Sequence, residues 1–227
     1  MPKRKKAGER LSFPVSPYVK TLLYNIGDGK TAVKVRKGQK VFSQGELSDS
    51  IFFIESGRVK ISVISSSGRE AVVAILGPPS FFGEGCMVAQ PVRLGTATAL
   101  EQSTLFRVEK RAMLRALSEQ PTLSEKFIAS LLTRNLDLEE DLCDQLFNHS
   151  EKRLARVLIK LERLRNQEKL SDGKIPVLSH ETLAEMVGTT RARITHFLNK
   201  FRKLGLIDYN GDLHVRVELL TDAVLND

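Results

Sequence analysis

The segment Ser179–Val215 reads SHETLAEMVGTTRARITHFLNKFRKLGLIDYNGDLHV, a run that collects basic side chains while keeping an apolar stripe. Ser179 is placed to cap a helix over His180 to Val187 that turns Leu183, Ala184 and Val187 inward. Gly188 breaks this helix, and Thr189 or Thr190 restarts a second. Two short helices joined by a glycine turn form a helix-turn-helix, whose second helix enters the major groove of DNA. At about 100° per residue, Ile194, Phe197, Leu198 and Phe201 share the core face of that second helix. The opposite face presents Ala192, His196, Asn199 and Lys203, with Arg191, Thr195 and Arg202 on one flank and Arg193 and Lys200 on the other. Arginine suits guanine edges, asparagine suits adenine, and lysine suits phosphate. The candidate DNA contacts are therefore Thr190, Arg191, Arg193, Thr195, His196, Asn199 and Lys200. Downstream, LIDYNGDLHV predicts two strands around Asn210-Gly211, a type I′ hairpin signal that makes the segment a winged helix.

Upstream the grammar differs. From about Val33 to Val108, short apolar runs rich in β-branched and aromatic residues (Phe52, Phe53, Ile54, Val59, Ile61, Val63) alternate with turns at Gly45, Gly57, Gly68 and Gly77. Closely spaced strands of this kind predict a β-barrel or roll. After Glu109 the apolar period lengthens towards three and four, and PTLSEKFIASLLTRNLDLEEDLCDQLF runs from Pro121 to Phe147 without a breaker. Phe127, Leu131, Leu138, Leu142 and Leu146 fall at helical repeats, interrupted by Arg134 and Asn135. A helix this long is expected to pack one face on its own β domain and another on a second subunit. Ser150 opens a further helix with Leu154, Val157, Leu158, Leu161 and Leu164 as its buried stripe. The expected fold class is α+β. Its parts are a basic N-terminal arm and lead-in (1–24), a β-roll (25–117), a dimerisation helix with hinge (118–149) and a winged helix-turn-helix domain (150–227).

Bulk properties fit that order. A chain of 227 residues with 41% apolar residues can build two modest cores, and a net charge of +8 favours a polyanionic partner. Only Cys86 and Cys143 occur, without metal-ligand spacing, so neither a disulfide framework nor a zinc site is expected and a reducing cytoplasm suits the chain. The opening MPKRKKAGER is basic without a following apolar core and reads as a disordered arm; no membrane partner is expected. A catalytic, cupin-like β-roll is disfavoured, since His149, His180, His196 and His214 all follow the β segment and leave no imidazole ligand within it.

In this order of parts, and most specifically in ETLAEMVGTTRARITHFLNKFRKLGLI, the chain resembles the Crp/Fnr family of bacterial transcription regulators, which includes the cyclic-AMP receptor protein. The resemblance implies a β-roll like that of cyclic-nucleotide-binding domains. It further implies a homodimer on two-fold symmetric double-stranded DNA, a small effector in the roll, and contact with RNA polymerase. GPPSFFGEG is similar to the family's phosphate-binding cassette: Gly83 and Glu84 match its Gly-Glu pair, and Thr96 and Ala97 match the residues after its phosphate-binding arginine. Gly95 stands where that arginine would be, with Arg93 nearby, and Gly85 continues the glycine-rich turn whose backbone N–H groups suit an anion. The expected effector site is thus Gly83, Glu84, Gly85, Arg93, Thr96 and Ala97. Without the arginine, and with Leu138 and Glu139 at the positions of the family's adenine-facing hydroxyls, the effector stays unassigned, a cyclic nucleotide being one possibility. No iron–sulfur cluster is expected, because two cysteines cannot supply four thiolates. Ala192 and His196 replace a glutamate and an arginine of the family's recognition helix, which predicts a different half-site. The competing possibility is a cyclic-nucleotide-binding regulatory protein that acts on a protein partner and not on DNA.

Overall fold

A computed structural model describes residues 23, 26–167, 178–210 and 212–225; the basic arm and the loop expected after the 150s helix lie outside them. Eight strands make the N-terminal roll: β1 (Lys30–Val35), β2 (Lys40–Phe42), β3 (Ser50–Ser56), β4 (Val59–Ile64), β5 (Glu70–Leu76), β6 (Phe81–Phe82), β7 (Thr96–Ala99) and β8 (Ser103–Glu109). They form two antiparallel four-stranded sheets, ordered β1-β8-β3-β6 and β2-β7-β4-β5.

After Ser50 the run IFFI in β3 is apolar throughout because both of its faces are covered. Phe52 and Ile54 point between the two sheets, where they meet Val35, Phe42, Val59, Phe82, Ala97 and Leu105. Ile51 and Phe53 point the other way, against Phe81, Phe106, Ala112, Met113 and Phe127. That second layer comes from the helices after the roll, α1 (Lys110–Glu119) and α2 (Pro121–Phe147). The helix α2 has proline in its first turn, where a missing N–H costs nothing, and spans about 40 Å.

The C-terminal domain comprises α3 (Ser150–Gln167), α4 (His180–Val187), α5 (Arg191–Lys203), the antiparallel pair β9 (Ile207–Asn210) and β10 (Asp212–Val215), and a short α6 (Val217–Leu220). Gly211, the expected second turn residue of the wing, lies outside the described residues. Leu154, Leu158, Leu183, Val187, Ile194, Leu198, Phe201 and Ile207 share one core. Of the stripe expected on α3, Val157 is only partly buried, and Ala155 and Ile159 join the core beside Leu154 and Leu158. The domain is pinned to the end of α2 by ion pairs from Asp144 to Arg156 and from Asp141 to Lys160. It also rests on the roll: Ile75 of β5 packs against the C-terminal core, and Lys60 of β4 lies 3.4 Å from Glu185 of α4. The α+β architecture expected from the sequence is the one observed.

Candidate nucleic-acid interface and effector site

Local chemistry builds the helix-turn-helix. The Ser179 hydroxyl accepts the backbone N–H of Thr182 at 3.0 Å, capping α4. Gly188 ends α4 at φ 67°, a left-handed conformation that glycine adopts without the Cβ penalty. Thr190 then caps α5 by accepting the N–H of Arg193 at 3.3 Å. With Ile194, Phe197, Leu198 and Phe201 buried, the rest of α5 is left to solvent.

All seven expected DNA contacts sit at or on this helix. Thr190, Arg191, Arg193, His196, Asn199 and Lys200 are exposed, and Thr195 is half-buried. Beyond the Thr190 cap, several of them have side-chain partners within the protein. The Arg193 guanidinium carbon is 5.9 Å from the Phe197 ring centroid, Asn199 accepts from Arg202 at 3.3 Å, and Lys200 is 2.7 Å from Glu151 of α3. His180, whose Nδ1 is 2.9 Å from the Thr195 hydroxyl, and Glu151 were not among the sequence candidates. Both sit on other helices, so no spacing along α5 points to them.

In the roll, Gly83 (φ 78°) starts a 3-10 helix over Glu84–Val88 that carries Gly85 and Cys86. Arg93 comes back to this turn but does not face out: it is 5% exposed. Its guanidinium donates to the Gly83 carbonyl at 2.9 Å and to Ser50 Oγ at 3.1 Å, and lies 4.3 Å from the centre of the Phe42 ring. A Cβ at Gly83 would approach Arg93 Nη1 to 2.7 Å and displace that guanidinium, and the left-handed φ itself favours glycine. Burial lowers the Arg93 pKa from its ordinary value, and the nearby Asp49 carboxylate acts in the opposite sense. Thr96 and Ala97 are buried within β7, with the Thr96 hydroxyl accepting the Gln44 N–H at 3.0 Å. Burial pushes the Cys86 thiol up.

The outward member of the cassette is Glu84. Its Oε1 is 2.9 Å from Arg134 of α2, while Oε2 is buried without a hydrogen bond among the described residues. Arg134 and Asn135 together interrupt the apolar pattern of α2, and that interruption was the signal of Arg134 in the sequence. Ile128, Leu132, Leu136, Leu142, Leu146 and Cys143 are exposed along the same helix, of which only Leu123, Phe127 and Asp144 are buried.

A cyclic nucleotide-binding domain model matches residues 32–120, and a Crp-like helix-turn-helix domain model matches residues 152–221. The chain is 30% identical to the CRP-like cAMP-activated global transcriptional regulator of Mycobacterium tuberculosis, over 77% of this chain and 79% of the relative. The chain belongs to the Crp/Fnr family of bacterial transcription regulators. Its α4–α5 unit is accordingly a DNA-binding helix-turn-helix. The family is one of transcription regulators and not of enzymes. Other relatives of this Crp/Fnr regulator include the cyclic AMP receptor protein of Thermus thermophilus, at 28% identity over 83% of this chain and 85% of that one. Among solved structures, the c-di-GMP responsive global regulator CLP of Xanthomonas campestris superposes with a TM-score of 0.73 at 20% identity, covering 88% of this chain and 98% of that one. At that identity the likeness is one of fold. Among the described residues no helix is long and apolar enough to cross a membrane.

Proposed function

We infer that this Crp/Fnr regulator acts in the cytoplasm as a homodimer on a two-fold symmetric operator, with one α5 in the major groove of each half-site. The observation that carries this is the division of α5 into a buried apolar face and an exposed face bearing Arg191, Arg193, His196, Asn199 and Lys200. Five polar or cationic groups on one helix face supply both phosphate neutralisation and base-edge hydrogen bonds. The dimer is supported by the exposed Ile128, Leu132, Leu136, Leu142 and Leu146 of α2, an apolar seam that a second copy of the same helix would cover. RNA polymerase contact follows from family membership.

A small effector acts at the cassette. The Glu84–Arg134 pair joins the turn after β6 to the seam-bearing helix, so a ligand that competes for either charge changes how the roll holds α2. A cyclic nucleotide fits this chemistry, offering hydroxyls to Glu84 and a phosphate to Arg134 and the backbone N–H groups after Gly83. Relatives whose names mention cyclic AMP support that ligand class.

The test is operator selection from a random duplex library with the full-length chain, followed by binding titrations across a salt series. Enrichment of a palindromic site bound by two chains, with a negative log K against log salt slope, is expected. Enrichment of a non-repeated site bound by one chain would overturn the dimeric mode. Thermal melts against cyclic AMP, cyclic GMP and cyclic dinucleotides test the effector: ligand at about 100 times its Kd adds about 2.7 kcal/mol. Unchanged melting with all of them would remove this ligand class.

A further inference from the structure

The Thr195 hydroxyl has one hydrogen, and α5 itself engages it: Oγ1 donates to the Arg191 carbonyl at 3.0 Å, one turn back. His180, the first residue of α4, brings Nδ1 to 2.9 Å from the same oxygen. With the hydroxyl hydrogen on Arg191, the hydrogen between His180 and Thr195 belongs to Nδ1, and the imidazole donates. The acceptors on the floor of the major groove are guanine O6 and N7, adenine N7 and thymine O4, and each of them needs a donor. Thr195 has no hydrogen left to give them. What it keeps for an outside partner is its γ-methyl and, with one lone pair taken by His180, a single acceptor that suits only the amino groups of adenine and cytosine. Ala192, three residues earlier on the same helix face and exposed, adds a second methyl. One base presents an apolar group to the major groove, and that is thymine, through its 5-methyl.

We propose that His180 is a positioning residue for base reading: it holds the Thr195 hydroxyl inside the protein, so that Thr195 and Ala192 turn methyl groups to the groove and select a thymine in the half-site. This rests on α5 being the major-groove helix. Along α5 the Arg191 carbonyl engages the hydroxyl hydrogen, and the contact from α4 adds a donor to its oxygen, so that the side chain is held from two helices.

The test starts from operator duplexes selected with the full-length chain. Each thymine of the half-site is replaced in turn by uracil, which lacks only the methyl. One position is expected to lose about fourfold in affinity per half-site, the worth of one buried methyl-sized group. Thr195→Val, which keeps a methyl and has no hydroxyl, retains that discrimination, and Thr195→Ser, which keeps the hydroxyl alone, reduces it to what the Ala192 methyl supplies. His180→Leu shrinks the thymine-to-uracil ratio without changing affinity for random duplex or its salt slope. His180→Asn, whose amide N–H donates from the Nδ1 position, restores the ratio. Indifference of every thymine to uracil, or discrimination kept by the serine variant and lost by the valine variant, overturns the proposal. Should His180→Leu fail to fold, the valine and serine pair still decides it. A library that enriches no sequence at all would instead refute base reading by α5, and the proposal with it.

Discussion

Arg134 of the long helix and Glu84 of the cassette turn form an ion pair of 2.9 Å between groups fifty residues apart in the chain. The pair makes one mechanical unit of the turn and the helix that carries the exposed apolar seam. Behind it Arg93 is a second, wholly internal strut, so the two arginines near the cassette have different tasks. Arg134 is about a quarter exposed and accessible to a ligand, whereas Arg93 holds the backbone on which the turn is built.

Breaking the Glu84–Arg134 pair from the cationic side is expected to cost more than from the anionic side. Arg134→Met leaves a carboxylate with one oxygen already buried and without a donor, which costs about 1–3 kcal/mol. Glu84→Gln leaves an arginine that reaches water. Urea midpoints of the two single variants and the double variant check this. Strictly additive losses would show that the two side chains do not interact.

Arg93→Lys is expected to fare little better than Arg93→Ala. The guanidinium serves Gly83 and Ser50 with separate nitrogens and stacks near Phe42, a planar geometry that a point ammonium cannot copy. Each variant should lose about 2–4 kcal/mol of unfolding free energy in a denaturant series. Near wild-type stability of Arg93→Lys would reduce the strut to a simple charge.

The difference between these two arginines marks where sequence reading ends. The SIFFI run of β3, the Ser179 cap and the Gly188 break are local signals, and each lies in the element expected from it. Arg134 was legible as an interruption in an apolar pattern. Arg93 was legible only as a residue near the phosphate position. Whether it faces a ligand or the protein is decided by Ser50 and Phe42, which β-sheet pairing brings in from more than forty residues away. For the same reason the His180–Thr195 and Glu151–Lys200 contacts, each between two helices, carry no periodic trace.

The α2 seam makes oligomeric state and cysteine chemistry one experiment. Leu132→Glu places a charge amid Ile128, Leu136 and Leu142 and is expected to convert the proposed dimer to monomer in sedimentation runs. Cys143 is exposed on the isolated chain, so iodoacetamide should label it faster in Leu132→Glu than in the wild-type protein. Cys86, buried and with its thiol pKa raised by burial, should stay unlabelled near neutral pH in both. Equal Cys143 rates in the two proteins would place that cysteine outside the subunit contact.

Arg191 and Lys200 should separate in binding titrations, because Lys200 has a counter-ion, Glu151 at 2.7 Å, and Arg191 has none among the described residues. A phosphate must share or displace that carboxylate before it gains the lysine charge. Lys200→Ala is therefore expected to weaken all duplexes alike and by less than Arg191→Ala weakens the selected operator. The latter loses about 1–3 kcal/mol and relaxes preference at one base position, with little change on random DNA. Glu151→Gln releases Lys200, which raises affinity for any sequence and steepens the log K against log salt slope by up to about one unit. If Glu151→Gln alters neither quantity, Lys200 lies off the phosphate path and its charge serves only to dock α5 on α3.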